Sequence, residues 1–290
     1  MKKKPTEVTK RSRVTKRLTS TTSAYEVQQL SEIHAWENAK PSVVTSALGV
    51  VAKPLGWLTS KVVPKKLIEG AIQMADNVAE YTTDTGDVLR DAQVDAIKEL
   101  RAKNLELSDK LAHSICRWAT AIAASEGGLT GLGGPFGMAA DIPVIIILAL
   151  RTIRKTALCY VYECDTEKEK EYVLGVLSAA GSNTQIEKNA TLMALQQLNV
   201  LIAKTTWKRM MQKAAENKFG KEAAILSIKA VAKTLGINLT KRLALKIVPV
   251  VGSLVGAGVN AAFIYDVAVA AQRCYQRRWL QENGKMKTGE

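Results

Sequence analysis

The stretch Glu126–Pro143, EGGLTGLGGPFGMAADIP, constrains this chain more than any other. Six glycines fall within Gly127–Gly137, between two long apolar segments. Residues 106–125 carry helical spacing, with Ser108 as a candidate cap. After the glycines the apolar run restarts at "ADIPVIIILALRTIRKTALCYVYE", where Asp141 suits an N-cap and Pro143 a first-turn position. The reading is a helical hairpin with a glycine-rich tip at 127–137. A second apolar segment, Ile247–Tyr265, contains Gly252, Gly256 and Gly258 and is followed by Asp266. Glycines four apart let helix backbones approach closely, in membranes and in water-soluble cores alike.

No run of alternating β-branched residues stands out, and alanine, leucine and lysine favour helix. The expected fold is therefore all-α, a multi-helix bundle with two apolar, glycine-containing, hairpin-like segments. Helices are expected over 23–40, 65–83, 86–104, 166–181 and 221–235, and over 185–219 with a break near Lys204. Gly181 is expected to cap the 166–181 helix. Pro41, Pro54 and Pro64 break the segment between the first two helices, and Pro249 breaks or kinks the last. The organisation read from the sequence is a disordered basic tail at 1–22, a helical domain at 23–283 and a polar tail at 284–290.

Charge is unevenly placed. The chain carries +14 overall, yet residues 1–22 hold eight Lys/Arg against one Glu, and residues 201–246 hold eleven against two. Such asymmetry points to an anionic partner or to solvated lysine faces. Within the basic region, "TTWKRMMQKAAENKFGK" (205–221) places Trp207, Met210 and Met211 on one helical face. Lys208, Arg209 and Lys213 fall on the other. That pattern suits an anionic lipid interface, as does Lys241-Arg242, but a helix burying its apolar face in its own core reads the same way. Ile247–Tyr265 has nineteen uncharged residues, close to the length of a membrane span, but with a proline, three glycines, Ser253 and Asn260.

Most site chemistry is excluded. No Gly-Lys-Ser/Thr follows the glycines, and Phe136 stands where a dinucleotide fingerprint needs its third glycine. Four cysteines without a CxxC pair and two histidines offer no zinc set, and buried free thiols account for Cys116, Cys159, Cys164 and Cys274. His113 reads as a hydrogen-bonded core residue. No cofactor or metal is implied. Glu126, Asp141, Glu163 and Asp266 sit beside apolar runs, where pairing with Arg151, Arg154 or Lys246 is the simplest resolution. If the chain is an enzyme, Glu126, Asp141 and Asp266 are its candidate acids and bases.

"GGLTGLGGPFGMAADIP", "LALRTIRKTALCYVYE", "EYVLGVLSAAG" and "IVPVVGSLVGAGVNAAFIYDVAVAAQR" in this order resemble the EcsC family. The resemblance covers roughly Trp36 to Asn283. It implies a helical, apolar, largely bacterial protein, with no settled activity and no catalytic residues to carry over. Gly128, Gly131, Asp141, Pro143, Arg151, Gly252, Asn260 and Asp266 fall on the family's pattern. One departure stands out: relatives often have an aromatic followed by glycine where this chain has Tyr160-Val161.

The expected function is a non-enzymatic accessory factor at the cytoplasmic face of the membrane. It would bind anionic lipid or a membrane protein such as a transporter. A lipid- or acyl-directed enzyme is the alternative. Nucleic-acid binding rests on charge alone, because no recognition motif with interleaved aromatics is present. The oligomeric state is not legible.

Overall fold

The computed structural model describes residues 22–40, 65–130, 134–182, 184–212 and 252–286. Within these helices, the side chains at 126–130, 134–142, 206–212 and 252–257, among others, lie outside that description. The described residues form α-helices and one 3₁₀ segment, without a strand.

The helices are α1 (Ala24–Asn38), α2 (Lys65–Thr82), α3 (Gly86–Ala92), α4 (Leu105–Thr130), α5 (Gly134–Cys159), α6 (Glu167–Gly181), α7 (Gln185–Gln212) and α8 (Gly252–Glu282). Local chemistry starts several of them. Ser23 and Glu26 form a reciprocal capping box on α1. Asn104, Thr166 and Thr184 accept from the backbone N–H three residues on, at the heads of α4, α6 and α7.

The core is built around α5 and α8. α5 packs against α2, α4, α6 and α8, and α8 also runs along α1, α4 and α6. All of 152–160 is buried, and Ile145, Ile146 and Leu148–Leu150 fill the centre from the same helix. Burial of a single large aliphatic side chain is worth about 1.5–3 kcal/mol, so this one helix anchors much of the fold. α7 lies on α6, burying Leu195, Leu198 and Ile202.

Several sequence expectations are corrected. α5 begins at Gly134, so Asp141 lies inside the helix and Pro143 is an interior proline. Met138, Ala139 and Ala140 are good helix formers and carry the helix upstream past the local cap signal. The glycine stretch is likewise divided: Gly127 and Gly128 end α4, Gly134 and Gly137 begin α5, and only 131–133 falls between them, outside the described residues. Ser108 does not cap α4 but is buried within it. The segment 86–104 is not one helix. It breaks at Gln93, in the left-handed region at φ 53°, and resumes as a 3₁₀ helix over Ile97–Ala102. α7 passes Lys204 without a break. Gly181 is the last residue of α6, which is capped instead by extended Ser182. The expected helix at 221–235 and the break at Pro249 lie outside the described residues.

Candidate functional site

Three features of the folded chain carry chemistry: two buried charge clusters, a cleft, and an outer apolar face. The first cluster centres on Arg278, 3% exposed on α8. Its Nη1 and Nη2 donate to the two carboxylate oxygens of Glu169 on α6, both at 2.7 Å, and its Nε donates to Glu282 at 3.0 Å. The guanidinium lies over the Tyr162 ring at 3.8 Å and near Tyr172 at 5.2 Å. Burial is the largest influence and works against its charge, but the Glu169 hydrogen bonds together with the charges of Glu169 and Glu282 outweigh it and push its pKa further above the ordinary value.

The second centres on Asp109, 1% exposed on α4. Tyr25 of α1 donates to Oδ2 at 2.6 Å, and Tyr160 donates to Oδ1. Both phenols hold the carboxylate, yet burial outweighs them and raises its pKa.

One turn supplies both clusters. After α5, Tyr162 N–H bonds the Ala157 carbonyl and Val161 N–H the Leu158 carbonyl, with Val161 at φ 72°. This double bond closes a helix in a Schellman turn, where glycine is preferred because a Cβ is disfavoured at positive φ. The turn sends Tyr160 to Asp109 and Tyr162 to Arg278 and Glu282. Here a β-branched residue, Val161, holds that left-handed position. Gly284, at φ 68°, ends α8 with the same pair of bonds and the expected residue.

The cleft, of about 180 Å³, lies where the ends of α1 and α6 meet α7 and α8. Trp36, Tyr265, Lys188 and Asp266 line it, with Lys40 at the end of α1. The Lys188 ammonium donates to the Trp36 and Ala39 carbonyls and lies 4.2 Å from the centre of the Trp36 ring. Burial lowers its pKa.

The outer face belongs to α7. Ile186 is 83% exposed and Met193 62% exposed, two helical turns apart, while Val200 is half-buried in the same register. Seven-residue spacing on one helix leads next to position 207, which is Trp in the sequence. Lys204 on this face is exposed. Two large apolar groups thus stand exposed on one face of α7.

The sequence-named residues distribute as follows. Asp266 lines the cleft, half-buried. Glu126 and Asp141 lie on α4 and α5, with side chains outside the described part. Trp207, Lys208 and Arg209 lie on α7 in the same position, and Lys213, Lys241, Arg242 and Lys246 lie outside the described residues. Of the pattern residues, Gly128 is in α4, Gly252 starts α8, Asn260 is half-buried on α8, and Gly131 is outside the description. Pro143 and Arg151 are half-buried on α5.

The expected cation partners differ. Arg154 pairs with Asp76 of α2 at 2.7 Å, and Lys155 with Asp87 of α3. Arg151 lies over the Trp118 ring at 5.1 Å. Glu163 is exposed to water. His113 is exposed rather than in the core, its Nε2 3.4 Å from Gln272 Nε2. Cys159, Cys164 and Cys274 are buried free thiols, and Cys116 is half-buried. Burial pushes the Cys164 and Cys274 thiols up to about 12. Among the described residues no cluster of potential ligands could hold a metal ion, and no helix is long and apolar enough to cross a membrane. Asp109, Arg278 and Lys188 were not singled out from the sequence. Most of their partners are distant in the chain; Glu282, four residues after Arg278, is the local exception.

The chain is 25% identical over 270 residues to "Uncharacterized protein YdbA" of Bacillus subtilis (strain 168), covering 89% of this chain and 94% of the relative. No solved structure matches. The model of the EcsC protein family matches residues 27–280, which takes in every described helix but the first residues of α1 and the end of α8. The chain belongs to the EcsC protein family.

Proposed function

We propose that this protein is a non-enzymatic accessory factor that docks on an anionic membrane surface at the cytoplasmic face. The outer side of α7 and the basic stretch continuing from it form the contact. The observation that carries this reading is the exposed pair Ile186 and Met193, in register with a helix that runs into the chain's most basic region. Charge distribution supports it. Residues 1–22 carry +7 and residues 201–246 carry +9, so the rest of a +14 chain carries −2. The described core cations are largely used internally: Arg154, Lys155, Arg273, Arg277 and Arg278 all pair with carboxylates. An anionic surface would attract the charge of 1–22 and 201–246 at about 1 kcal/mol per Lys or Arg near it.

The test is co-sedimentation with phosphatidylglycerol-containing vesicles at low and high salt. Wild type pellets at low salt and is released as screening rises. Met193→Glu pellets less at either salt. Binding to uncharged vesicles alone, or none at all, contradicts the proposal. Pelleting only with vesicles carrying a membrane protein would instead favour a protein partner.

The cleft supports a second reading, an enzyme acting on a lipid or acyl substrate with Asp266 as acid or base beside Lys188. It predicts fatty-acid release from phospholipid vesicles that Asp266→Asn abolishes while leaving the fold intact. Absence of any release from wild type contradicts it.

A further inference from the structure

α1 is joined to the body by ion pairs along its length, besides the apolar contacts of one face and the Tyr25–Asp109 hydrogen bond. Ile33 is its one fully buried apolar side chain; Tyr25, Leu30 and Trp36 are half-buried and Val27 is 56% exposed. All three of its carboxylates engage cations of α8 or the turn after it. Glu26 meets Lys285 at 3.6 Å, Glu32 meets Arg273 at 2.7 Å, and Glu37 pairs with Arg277. Gln29 accepts from Arg273 at 2.9 Å and from Gln276 at 3.0 Å. The last carbonyls of α1 accept from Lys188 of α7, and Gln185 donates to the Glu37 carbonyl at 2.6 Å. α1 therefore covers a strip of cations, Lys188, Arg273, Arg277 and Lys285, while carrying no Lys or Arg itself. The chain immediately before it, residues 1–22, carries +7.

An anionic surface acts on this arrangement in one direction. It attracts the strip and the preceding basic residues, and it repels the three carboxylates of α1. Removing α1 also leaves its cationic partners open to water or headgroups instead of buried and unpaired, which avoids the main cost of breaking such pairs.

We propose that α1 is a displaceable acidic helix masking cations of α8, of the turn after it and of α7, and that the phosphate headgroups of an anionic bilayer take its place. This rests on the membrane reading above and adds a regulated step to it. Surface contact by α7 opens a second basic site.

The test is hydrogen exchange of the full-length protein, read on peptides from α1 and from α6. Phosphatidylglycerol vesicles are expected to speed α1 exchange about ten-fold or more with α6 unchanged. Phosphatidylcholine vesicles leave both unchanged. The double variant Glu32→Gln/Glu37→Gln opens α1 without vesicles and binds phosphatidylglycerol vesicles at several-fold lower lipid. Co-sedimentation with α1 still protected overturns this inference and leaves the membrane reading standing. No co-sedimentation by wild type or by the double variant overturns both.

Discussion

Arg278 and Asp109 are buried to nearly the same depth, at 3% and 1% exposure, and the fold treats them in opposite ways. Arg278 is matched by two carboxylates in fork geometry and by two tyrosine rings. Its charge is fixed, and its pKa moves further from any pH a cell reaches. Asp109 is held chiefly by two neutral phenols, with Gln276 and the more distant charge of Arg273 adding less, and burial outweighs them all so that its pKa rises. The first cluster is a static rivet between α6 and α8. The second is a titratable joint between α1, α4 and the turn after α5. Burial alone does not decide whether an ion is inert. The charge of its partners does.

The largest test of this contrast is truncation of the rivet. Arg278→Ala leaves Glu169 facing a site built for a cation and is expected to cost about 3–5 kcal/mol in chemical denaturation. A loss below about 1 kcal/mol would show that the fork contributes little. Asp109→Ala should cost less, about 1–3 kcal/mol, because the phenols it abandons are neutral and half-buried Tyr25 can turn to water.

The pH dependence separates the two regions further. In the folded state Asp109 holds its proton above the pH at which the unfolded chain releases it. More protons are bound folded than unfolded in that interval, so its contribution to stability falls as pH rises from the ordinary carboxylate value through the raised one. Asp109→Asn cannot titrate, and its stability should fall less than that of wild type over the same interval. Parallel curves for the two proteins would contradict the joint. Arg278→Lys should shift both ends of the curve equally.

The smallest effect belongs to the turn that feeds both clusters. Val161→Gly relieves a left-handed β-branched residue, and the larger entropy of the unfolded glycine chain offsets part of the gain. A net stabilisation of about 0.5–1 kcal/mol is expected, more than for Gln93→Gly at the comparable turn, since Gln93 is not branched at Cβ. Destabilisation by Val161→Gly would mean that the valine packs well enough to outweigh its backbone.

The sequence made the helical class and most helix spans legible, because caps and apolar spacing are local. Lys65–Thr82 and Glu167–Gly181 lie where the pattern puts them. It misplaced the start of α5, where the Asp141–Pro143 signal is real but the helix formers upstream extend past it. It gave the glycine stretch to a single connection, because glycine's ordinary helix cost is a weak prior that packing overrides. The clusters were not legible at all. Asp109 and Tyr160 are 51 residues apart and Arg278 and Glu169 are 109 apart, so nothing but the folded chain brings them together. The Tyr160-Val161 pair stood out in the sequence through the family resemblance, and the structure adds that Val161 takes the left-handed conformation of the turn without glycine.

The clusters hold the body together internally, whereas the proposed work falls to the face of α7 on which Ile186 and Met193 are exposed. The most direct measurement is co-sedimentation of wild type and an Ile186→Glu/Met193→Glu variant with phosphatidylglycerol vesicles at low ionic strength. Wild type is expected in the pellet and the folded variant in the supernatant, with helical content equal by circular dichroism. Equal pelleting of the two proteins would contradict the account.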